Sequence, residues 1–283
     1  MAVLVIREPS ELRTIAQAKR QEGKRIGLVP TMGGLHEGHL SLLRQARPVC
    51  DVLIMSLFVN PTQFGENEDL ERYPRDEQSD LKGAEECGVD LVFCPDAGSM
   101  YPVGFQTSIS LPSLAASMCG AGRPGHFEGV ATIVTKLFNL SLPHVAVFGQ
   151  KDAQQLAILR QLVVDLDFDI ELLTGPIVRA ESGLALSSRN VYLSEEEHSQ
   201  ALSLYRGLSA AKQRFEEGAL DKSTLIGAAR AVIGASPLAQ IEYLDLRDTN
   251  TLEDLDTVTR PALLAVAAHF GHTRLIDNIV LSP

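Results

Sequence analysis

The segment PTMGGLHEGHL, residues 30–40, carries most of the information about fold in this sequence. A β-rich apolar run, residues 26–29, precedes it, and a helical pattern over residues 40–46 follows it. A turn from a strand into a helix directs backbone N–H groups at a bound anion, and glycines let the backbone and a phosphate approach closely. The segment therefore predicts the phosphate-handling turn of a nucleotidyl-transfer fold.

Two histidines stand at the start of the predicted helix. His36 and His39 are three residues apart, so they project toward the same side. Two imidazoles there can donate hydrogen bonds to phosphate oxygens whose charge grows during attack at phosphorus. They do not form the HExxH zinc motif, because the spacing differs. A glycine-rich turn with two solvated histidines is the alternative interpretation.

Outward from this turn, short apolar runs alternate with helical patterns. The predicted strands are residues 26–29, 52–59, 89–93, 145–148 and 169–173. The predicted helices between them are residues 40–46, 69–87, 130–140 and 152–166. Strands that are apolar nearly throughout are typical of a parallel sheet covered on both faces. The pattern predicts an α/β protein with a Rossmann-like, doubly wound parallel sheet, whose ligands bind beyond the carboxyl ends of the strands.

The pattern changes after about Pro176. Ser194 and Glu197 form a capping box that predicts a long helix toward Phe215. A helix over residues 223–234 and strands over 241–245, 263–268 and 274–280 then predict a small, mostly antiparallel α+β unit. We expect two domains, a nucleotide-binding domain over residues 1–177 and a C-terminal domain over 178–283.

Composition excludes several classes of protein. The 283 residues carry a formal net charge of −11, which argues against wide contact with nucleic acid. No apolar run approaches the ~20 residues that span a bilayer, and the N-terminus lacks the layout of a signal peptide. The four cysteines include no CxxC pair and match no common zinc spacing. We expect a cytoplasmic protein with reduced thiols and no membrane partner.

Polar clusters also follow other predicted strands. Asn60 and Gln63, in FVNPTQF, are neutral amides suited to a hydroxyl and a carboxylate, although a polar turn explains them equally well. The loop GRPGHF carries Arg123 and His126 and predicts either a lid over a ligand or a plain turn.

Two later segments repeat this arrangement. GQKDAQQ, residues 149–155, places the point cation of Lys151 after a strand, and Asp152 there is either a helix N-cap or a nucleotide contact. GLALSSRN, residues 183–190, joins two hydroxyls to a guanidinium, as in an anion clamp or an ordinary hairpin. The functional interpretation of these clusters is favoured because all of them lie at the predicted binding edge of the sheet.

Taken together, PTMGGLHEGHL, FVNPTQF, RPGHF, GQKDAQQL and GLALSSRN closely resemble the pantothenate synthetase (pantoate–β-alanine ligase) family, over nearly the whole chain. The HxGH motif alone would indicate only the wider nucleotidyltransferase superfamily. The resemblance implies a two-step reaction. Pantoate attacks the α-phosphorus of ATP to give pantoyl adenylate and pyrophosphate, and the amine of β-alanine then displaces AMP to give pantothenate.

The resemblance also implies roles for particular residues. His36, His39, Lys151 and Arg189 would be catalytic, with His39 a proton donor, and Asn60, Gln63 and Gln155 would bind pantoate, with Gln63 also near β-alanine. The residues implied for ATP are Met32, Gly33, Gly34, Leu35, His36, Glu37, Gly38, His39, Gly149, Gln150, Lys151, Asp152, Val178, Leu186, Ser187, Ser188 and Arg189. The last four would form the mobile KMSKS-like loop.

Further implications of the resemblance are Mg²⁺ accompanying ATP and a homodimer. The sequence offers no metal-ligand cluster that locates Mg²⁺. One departure is Ala153, where many members carry an aromatic residue, and we expect this to alter packing without loss of activity. Another adenylate-forming enzyme of the superfamily and a nucleotide-binding regulatory module that has lost catalysis are the alternatives. A tRNA synthetase is disfavoured by the missing anticodon-binding mass and by the net charge.

Overall fold

The computed structural model describes residues 3–66 and 68–283. Contacts between residues group the chain into two compact units. The first comprises Met1–Pro112, Arg123–Gln150 and Ile158–Pro176, and the second comprises Ser113–Gly122, Lys151–Ala157 and Ile177–Pro283. The two short segments make these units differ from the division into residues 1–177 and 178–283, which stays a prediction.

Strands and helices alternate along the first two-thirds of the chain. The strands are β1 Leu4–Ile6, β2 Ile26–Thr31, β3 Val52–Leu57, β4 Leu91–Phe93, β5 Val145–Gly149, β6 Glu171–Gly175, β7 Ala239–Asp248, β8 Ala262–Phe270 and β9 Thr273–Leu281. The helices are α1 Pro9–Gln21, α2 Glu37–Ala46, α3 Glu77–Glu86, α4 Ala97–Met100, α5 Pro112–Ala115, α6 Met118–Gly122, α7 His126–Ser141, α8 Ala153–Asp165, α9 Glu195–Glu216 and α10 Lys222–Gly234.

The first unit is built on a parallel sheet. Among the described residues, six strands pair in the order β1-β4-β3-β2-β5-β6, and every pairing is parallel. The strand order reverses between β2 and β5, and ligands of doubly wound sheets bind beyond the carboxyl ends of strands at such a point. The histidine turn follows β2, so the sheet topology supports the predicted location of the site.

Apolar side chains of the helices cover the sheet. Leu42 and Leu43 of α2 pack in one buried cluster with Val29 of β2 and Met55 of β3. Burial of such side chains stabilises the fold by roughly 1.5–3 kcal/mol each. This packing fixes α2, the helix that begins directly after His36, against the sheet.

The structure differs from the predicted elements at several places, and the short helices α4, α5 and α6 are among the elements that were not predicted. The helix predicted to begin at residue 69 begins at Glu77, because Pro74 keeps Tyr73 out of the helical region and Asp76 caps α3 by accepting the N–H of Ser79 at 3.0 Å. Strand β1 and helix α1 were not predicted. β1 has only three residues, too few for a periodic signal.

The second unit contains the antiparallel sheet β7-β8-β9. Leu204 and Leu208 of α9 and Ile233 of α10 share its buried core with strand residues such as Leu264. Ser194 and Glu197 form the predicted capping box, with bonds of 3.2 and 2.8 Å. The predicted fold class, a Rossmann-like parallel sheet followed by a smaller α+β part, is confirmed.

The cysteine side chains form no disulfide among the described residues. Cys50, Cys87, Cys94 and Cys119 are free thiols, and burial raises the pKa of Cys94 to about 11. In residues 3–66 and 68–283, no helix has both the length and the apolar character needed to cross a bilayer.

Candidate active site

Backbone conformation shapes the turn after β2. Gly33 and Gly34 have φ of +86° and +62°, in the left-handed region that side chains disfavour. A Cβ at Gly33 would also lie 2.9 Å from Cδ1 of Leu57 and 3.0 Å from Oδ2 of Asp80. The two glycines therefore allow the chain to reverse between β2 and α2 against a closely packed floor.

A buried carboxylate holds this turn. Oδ2 of Asp80 accepts the N–H of Gly34 at 3.0 Å, and Oδ1 accepts the N–H of Leu35 at 2.7 Å. Asp80 lies on α3 and is 3% exposed, and burial raises the pKa of its carboxyl group against the opposing effect of these two bonds. From the sequence, backbone N–H groups of the turn were expected to face an anionic ligand. At Gly34 and Leu35 they face Asp80 instead.

The two histidines cap α2 and contact each other. Nδ1 of His36 accepts the N–H of Gly38 at 3.1 Å, and Nδ1 of His39 accepts the N–H of His36 at 3.3 Å. Their ring centroids are 4.1 Å apart, which confirms that both project to one side. A backbone N–H can only donate, so in each neutral imidazole the ring proton is on Nε2. The capping bonds thus set both rings as Nε2–H donors.

The amide of Asn60 is fully used within the protein. Nδ2 donates to Oε1 of Gln63 at 2.9 Å and to the carbonyl of Gly129 at 3.2 Å. Oδ1 accepts from the hydroxyls of Tyr101 at 2.8 Å and Thr62 at 3.0 Å. Because Oε1 of Gln63 accepts from Asn60, the orientation of the Gln63 amide is set, and its NH₂ group is the donor left for other partners.

Arg123 and His126 converge on the main chain of Gln63. Its carbonyl oxygen lies 3.2 Å from Nη2 of Arg123 and 2.8 Å from Nδ1 of His126. Nη1 of Arg123 lies 3.0 Å from Nε2 of His126. Because a guanidinium can only donate, Nε2 of His126 is the acceptor, and Nδ1–H of the same ring donates to the carbonyl of Gln63. Arg123 also forms a two-bond ion pair with Glu68, at 2.7 and 2.5 Å. The loop therefore holds the main chain of Gln63 in place, a role that the sequence did not reveal.

In the second unit, the segment after β5 is anchored through its backbone and through Gln154. The carbonyl of Lys151 accepts from Nδ2 of Asn278 at 3.0 Å. Gln154, 5% exposed, accepts the N–H of Cys119 at 3.0 Å and donates to the carbonyls of Leu114 and Ser117 at 2.9 and 2.8 Å. Gln155 is half-buried one residue further along α8. The segment is thus fixed at its main chain, and the ammonium of Lys151 extends from it.

A short hairpin carries the 186–189 segment. The N–H of Leu186 donates to the carbonyl of Val178 at 3.0 Å, and that of Ala180 to the carbonyl of Leu184 at 2.9 Å. Gly183 turns the hairpin with φ of +96°, and a Cβ there would lie 2.5 Å from Tyr205. Ser187 then caps a 3₁₀ turn, Ser188–Tyr192, by accepting the N–H of Arg189 at 3.3 Å. Val178 and Leu186, both predicted for ATP, are therefore paired neighbours.

The structure brings the predicted residues together in local groups. His36 lies with His39, Asn60 with Gln63, and Val178 with Leu186. Asp80, Tyr101 and Asn278 support these groups and were missed. Each is distant in sequence from the residue it holds. A buried polar side chain in a predicted helix or strand could have signalled Asp80 and Asn278, whereas Tyr101 lies outside the predicted elements.

Comparisons with known proteins agree with this geometry. The model of the family described as pantoate-beta-alanine ligase matches residues 4–280. The chain is 52% identical to a pantothenate synthetase of Trichlorobacter lovleyi over 98% of each chain, and 50% identical to one of Desulfatibacillum aliphaticivorans over 99% of each.

Solved structures show the same relationship. A pantothenate synthetase from Thermus thermophilus superposes with a TM-score of 0.93 at 42% identity, covering 99% of this chain and 100% of that one. A pantoate-beta-alanine ligase from Francisella tularensis, complexed with beta-gamma ATP and β-alanine, has a TM-score of 0.82 at 31% identity, covering 99% and 98%. The fold, the paired histidines of the turn and the full-length matches place this chain in the pantoate–β-alanine ligase family.

Proposed function

We propose that this chain carries out the reaction for which its family is named, the ATP-dependent condensation of (R)-pantoate with β-alanine. The products are pantothenate, AMP and pyrophosphate, and pantoyl adenylate is the intermediate. Family membership over the full length supports the overall reaction. The observation that best supports the route is the pair of histidines held as Nε2–H donors at the helix start, because this suits a phosphate that gains charge.

In the first step, a carboxylate oxygen of pantoate attacks the α-phosphorus of ATP. The new O–P bond forms as the bond from that phosphorus to the bridging oxygen breaks, and pyrophosphate leaves with the bond's electron pair. His36 and His39 donate hydrogen bonds from Nε2–H to the phosphate oxygens, and for His39 this hydrogen bond, with the proton kept on Nε2, is the donor role that the resemblance implies. Lys151 adds a point cation, and Ser187, Ser188 and Arg189 add further donors.

In the second step, the amine of β-alanine attacks the carbonyl carbon of the mixed anhydride and AMP leaves. No side chain acts as a nucleophile, so catalysis depends on positioning. The NH₂ group of Gln63 is suited to an oxygen of pantoate, since Asn60 already occupies Oε1. Both polar ends of the Asn60 amide are used within the protein. We therefore assign Asn60 to the positioning of Gln63. Gln155 keeps the direct contact with pantoate that the resemblance implies.

The remaining ATP residues keep the assignments that the resemblance implies. Met32–His39 and Gly149–Asp152 would hold the nucleotide, with Val178 on the adenine side and Leu186 at the start of the phosphate loop. Mg²⁺ would accompany ATP. Within the described residues no group of three or more His, Cys, Asp or Glu side chains could hold a metal ion.

We also propose a homodimer that acts in the cytoplasm on small-molecule substrates. Sedimentation equilibrium at enzyme concentrations used for assay would show the mass of two chains. A single-chain mass at full activity would contradict the dimer.

Pyrophosphate release tests the proposed function. Purified protein with Mg-ATP and (R)-pantoate should release pyrophosphate without β-alanine, and AMP should follow once β-alanine is added. Absence of pyrophosphate release with pantoate would contradict the adenylate route.

A further inference from the structure

Two neighbouring residues of β9 contact the hairpin that leads into residues 186–189 and the main chain of Lys151. Asp277 and Asn278 are each 3% exposed, far in sequence from both segments. Asp277 reaches the hairpin that carries residues 186–189, and Asn278 reaches the main chain of Lys151. All of these groups lie in the second unit. β9 therefore links the two segments through one dipeptide.

The contact of Asp277 is a two-bond ion pair with Arg179. Nη1 of Arg179 lies 2.6 Å from Oδ2, and Nη2 lies 2.8 Å from Oδ1. The same guanidinium donates to the carbonyl of Gly183 at 3.1 Å and lies over the ring of Tyr205, 4.2 Å from its centroid. Parallel paired bonds fix angle as well as distance. The root of the hairpin is thus held in one orientation on β9.

The contact of Asn278 is a hydrogen bond from Nδ2 to the carbonyl of Lys151, at 3.0 Å. The backbone N–H of Asn278 donates to Oδ1 of Asp277 at 2.8 Å, so the Asp277 carboxylate is held by the main chain of the residue whose side chain holds Lys151. A carbonyl held at Lys151 restricts the main chain from which the ammonium extends. The position of the ammonium then depends on β9.

A requirement for stability alone does not explain the ion pair. Replacing a buried ion pair with apolar groups is often neutral or stabilising, whereas removing one partner is destabilising. Arg179 of this pair also bonds the carbonyl of Gly183 in the hairpin turn, and Asn278, next to Asp277, bonds the carbonyl of Lys151 in the segment proposed to bind phosphate. That placement favours a role in geometry.

We propose that Asp277 and Asn278 are positioning residues, which hold Lys151 and the 186–189 segment in the fixed relation that the ATP phosphates require. The inference rests on the proposed function. It predicts that loss of either contact weakens the use of ATP more than the use of β-alanine.

The first variant is Asn278→Ala, which removes the hydrogen bond to the carbonyl of Lys151 and little volume. The KM for ATP should rise about fivefold, because losing a hydrogen bond of this kind corresponds to about 1 kcal/mol. The KM for β-alanine should stay within about twofold. Gln200→Ala is the matched control, since Gln200 makes a single side-chain bond of 2.9 Å to the N–H of Leu238 in the same unit.

The second variant is the pair Arg179→Met with Asp277→Leu, which removes both charges together. If the ion pair serves geometry, thermal stability stays close to that of the parent protein while the KM for ATP rises about tenfold. Asp248→Asn is the control for the loss of a buried carboxylate, because Asp248 is 6% exposed and pairs with Arg260. It should lower stability and leave the KM for ATP unchanged.

The outcomes separate this inference from the proposed function. A rise in the KM for ATP alone, in both variants and in neither control, supports it. An unchanged KM for ATP, or an equal rise for ATP and β-alanine, in an otherwise active enzyme overturns it. If the parent protein released no pyrophosphate with pantoate, the proposed function would fall first and the inference with it.

Discussion

Asp80 and Leu35 are 45 residues apart in the chain, yet Oδ1 of Asp80 accepts the N–H of Leu35 at 2.7 Å. The other oxygen accepts the N–H of Gly34, so the carboxylate spans the turn that precedes His36. The histidines are therefore positioned by α3 as well as by the cap of α2. We therefore expect Asp80 to act as a positioning residue for the first step.

Asp80→Ala should reduce pantoate-dependent pyrophosphate release about tenfold or more, because the turn loses both acceptors and the histidines lose their alignment. The free energy of unfolding should fall by about 1–3 kcal/mol, since two N–H groups lose a buried acceptor. Steady-state release and urea unfolding would measure the two effects. Asp76→Ala is the control, because it removes the cap of the same helix without touching the turn. Equal activity loss in both variants would contradict the positioning role.

Asn60→Asp should raise the KM for pantoate about tenfold. The new carboxylate would place an acceptor oxygen opposite Oε1 of Gln63, where Asn60 has a donor. The Gln63 amide would therefore rotate by about 180°, so that its oxygen and not its NH₂ group faces the substrate. The KM for ATP should change little. The exposed Asn139→Asp is the matched control for added charge. An unchanged KM for pantoate in Asn60→Asp would show that the Gln63 orientation does not matter.

His39→Asn should lower the rate of adenylation about 10²–10³-fold while the fold survives. The shorter side chain can still offer an oxygen to the N–H of His36, as Nδ1 does at 3.3 Å, but it lacks the Nε2–H donor. Single-turnover formation of pyrophosphate measures this step, with circular dichroism as the check on folding. Near-normal release would remove His39 from its proposed role.

Lys151→Ala should likewise lose adenylation, because the point cation is gone while the carbonyl held by Asn278 remains. Lys212→Ala is the control, since Lys212 makes only an exposed pair with Glu216 among the contacts resolved here. Comparable rates for Lys151→Ala and the parent enzyme would exclude Lys151 from phosphate binding.

The stability of the protein should depend on pH through Asp248. Burial raises the pKa of its carboxyl group, but the N–H groups of Thr251 and Asn250 and the guanidinium of Arg260 outweigh this and hold the pKa at about 2. A lowered pKa in the folded state means that the stabilisation is present above the unfolded value, near 3.8, and is lost as pH falls toward 2.

The size of this effect follows from the shift, at about 2 kcal/mol. The difference in unfolding free energy between the parent protein and Asp248→Asn should therefore be largest above pH ~4 and shrink as the pH falls toward ~2. Urea unfolding across this range measures it. A difference that is independent of pH would show that the charge of Asp248 contributes nothing.

Local sequence signals predicted most of the sheet and the helix starts. The apolar run of β2, the turn after it and the Ser194–Glu197 capping box rest on neighbouring residues, and the structure confirms them. The start of α3 was missed because Pro74 and the cap at Asp76 were outweighed by a long helical pattern. The residues proposed to contact ligands stood out because they follow predicted strands.

Long-range support was not predictable in this way. The bonds from Asp80 to the histidine turn, from Tyr101 to Asn60 and from Asn278 to Lys151 join residues 41 to 127 positions apart. No periodicity or spacing relates such residues, since the fold alone brings them together. The structure therefore adds the supports of the site to the contacts that the sequence suggested.

The most direct measurement of the central claim follows an oxygen atom of pantoate. Pantoate labelled with a heavy oxygen isotope in its carboxylate is incubated with the enzyme, Mg-ATP and β-alanine. Mass spectrometry then measures the mass of each product. Attack at the α-phosphorus predicts one labelled oxygen in AMP and none in pyrophosphate. Label in pyrophosphate or phosphate, or unlabelled AMP beside newly formed pantothenate, would contradict the adenylate route.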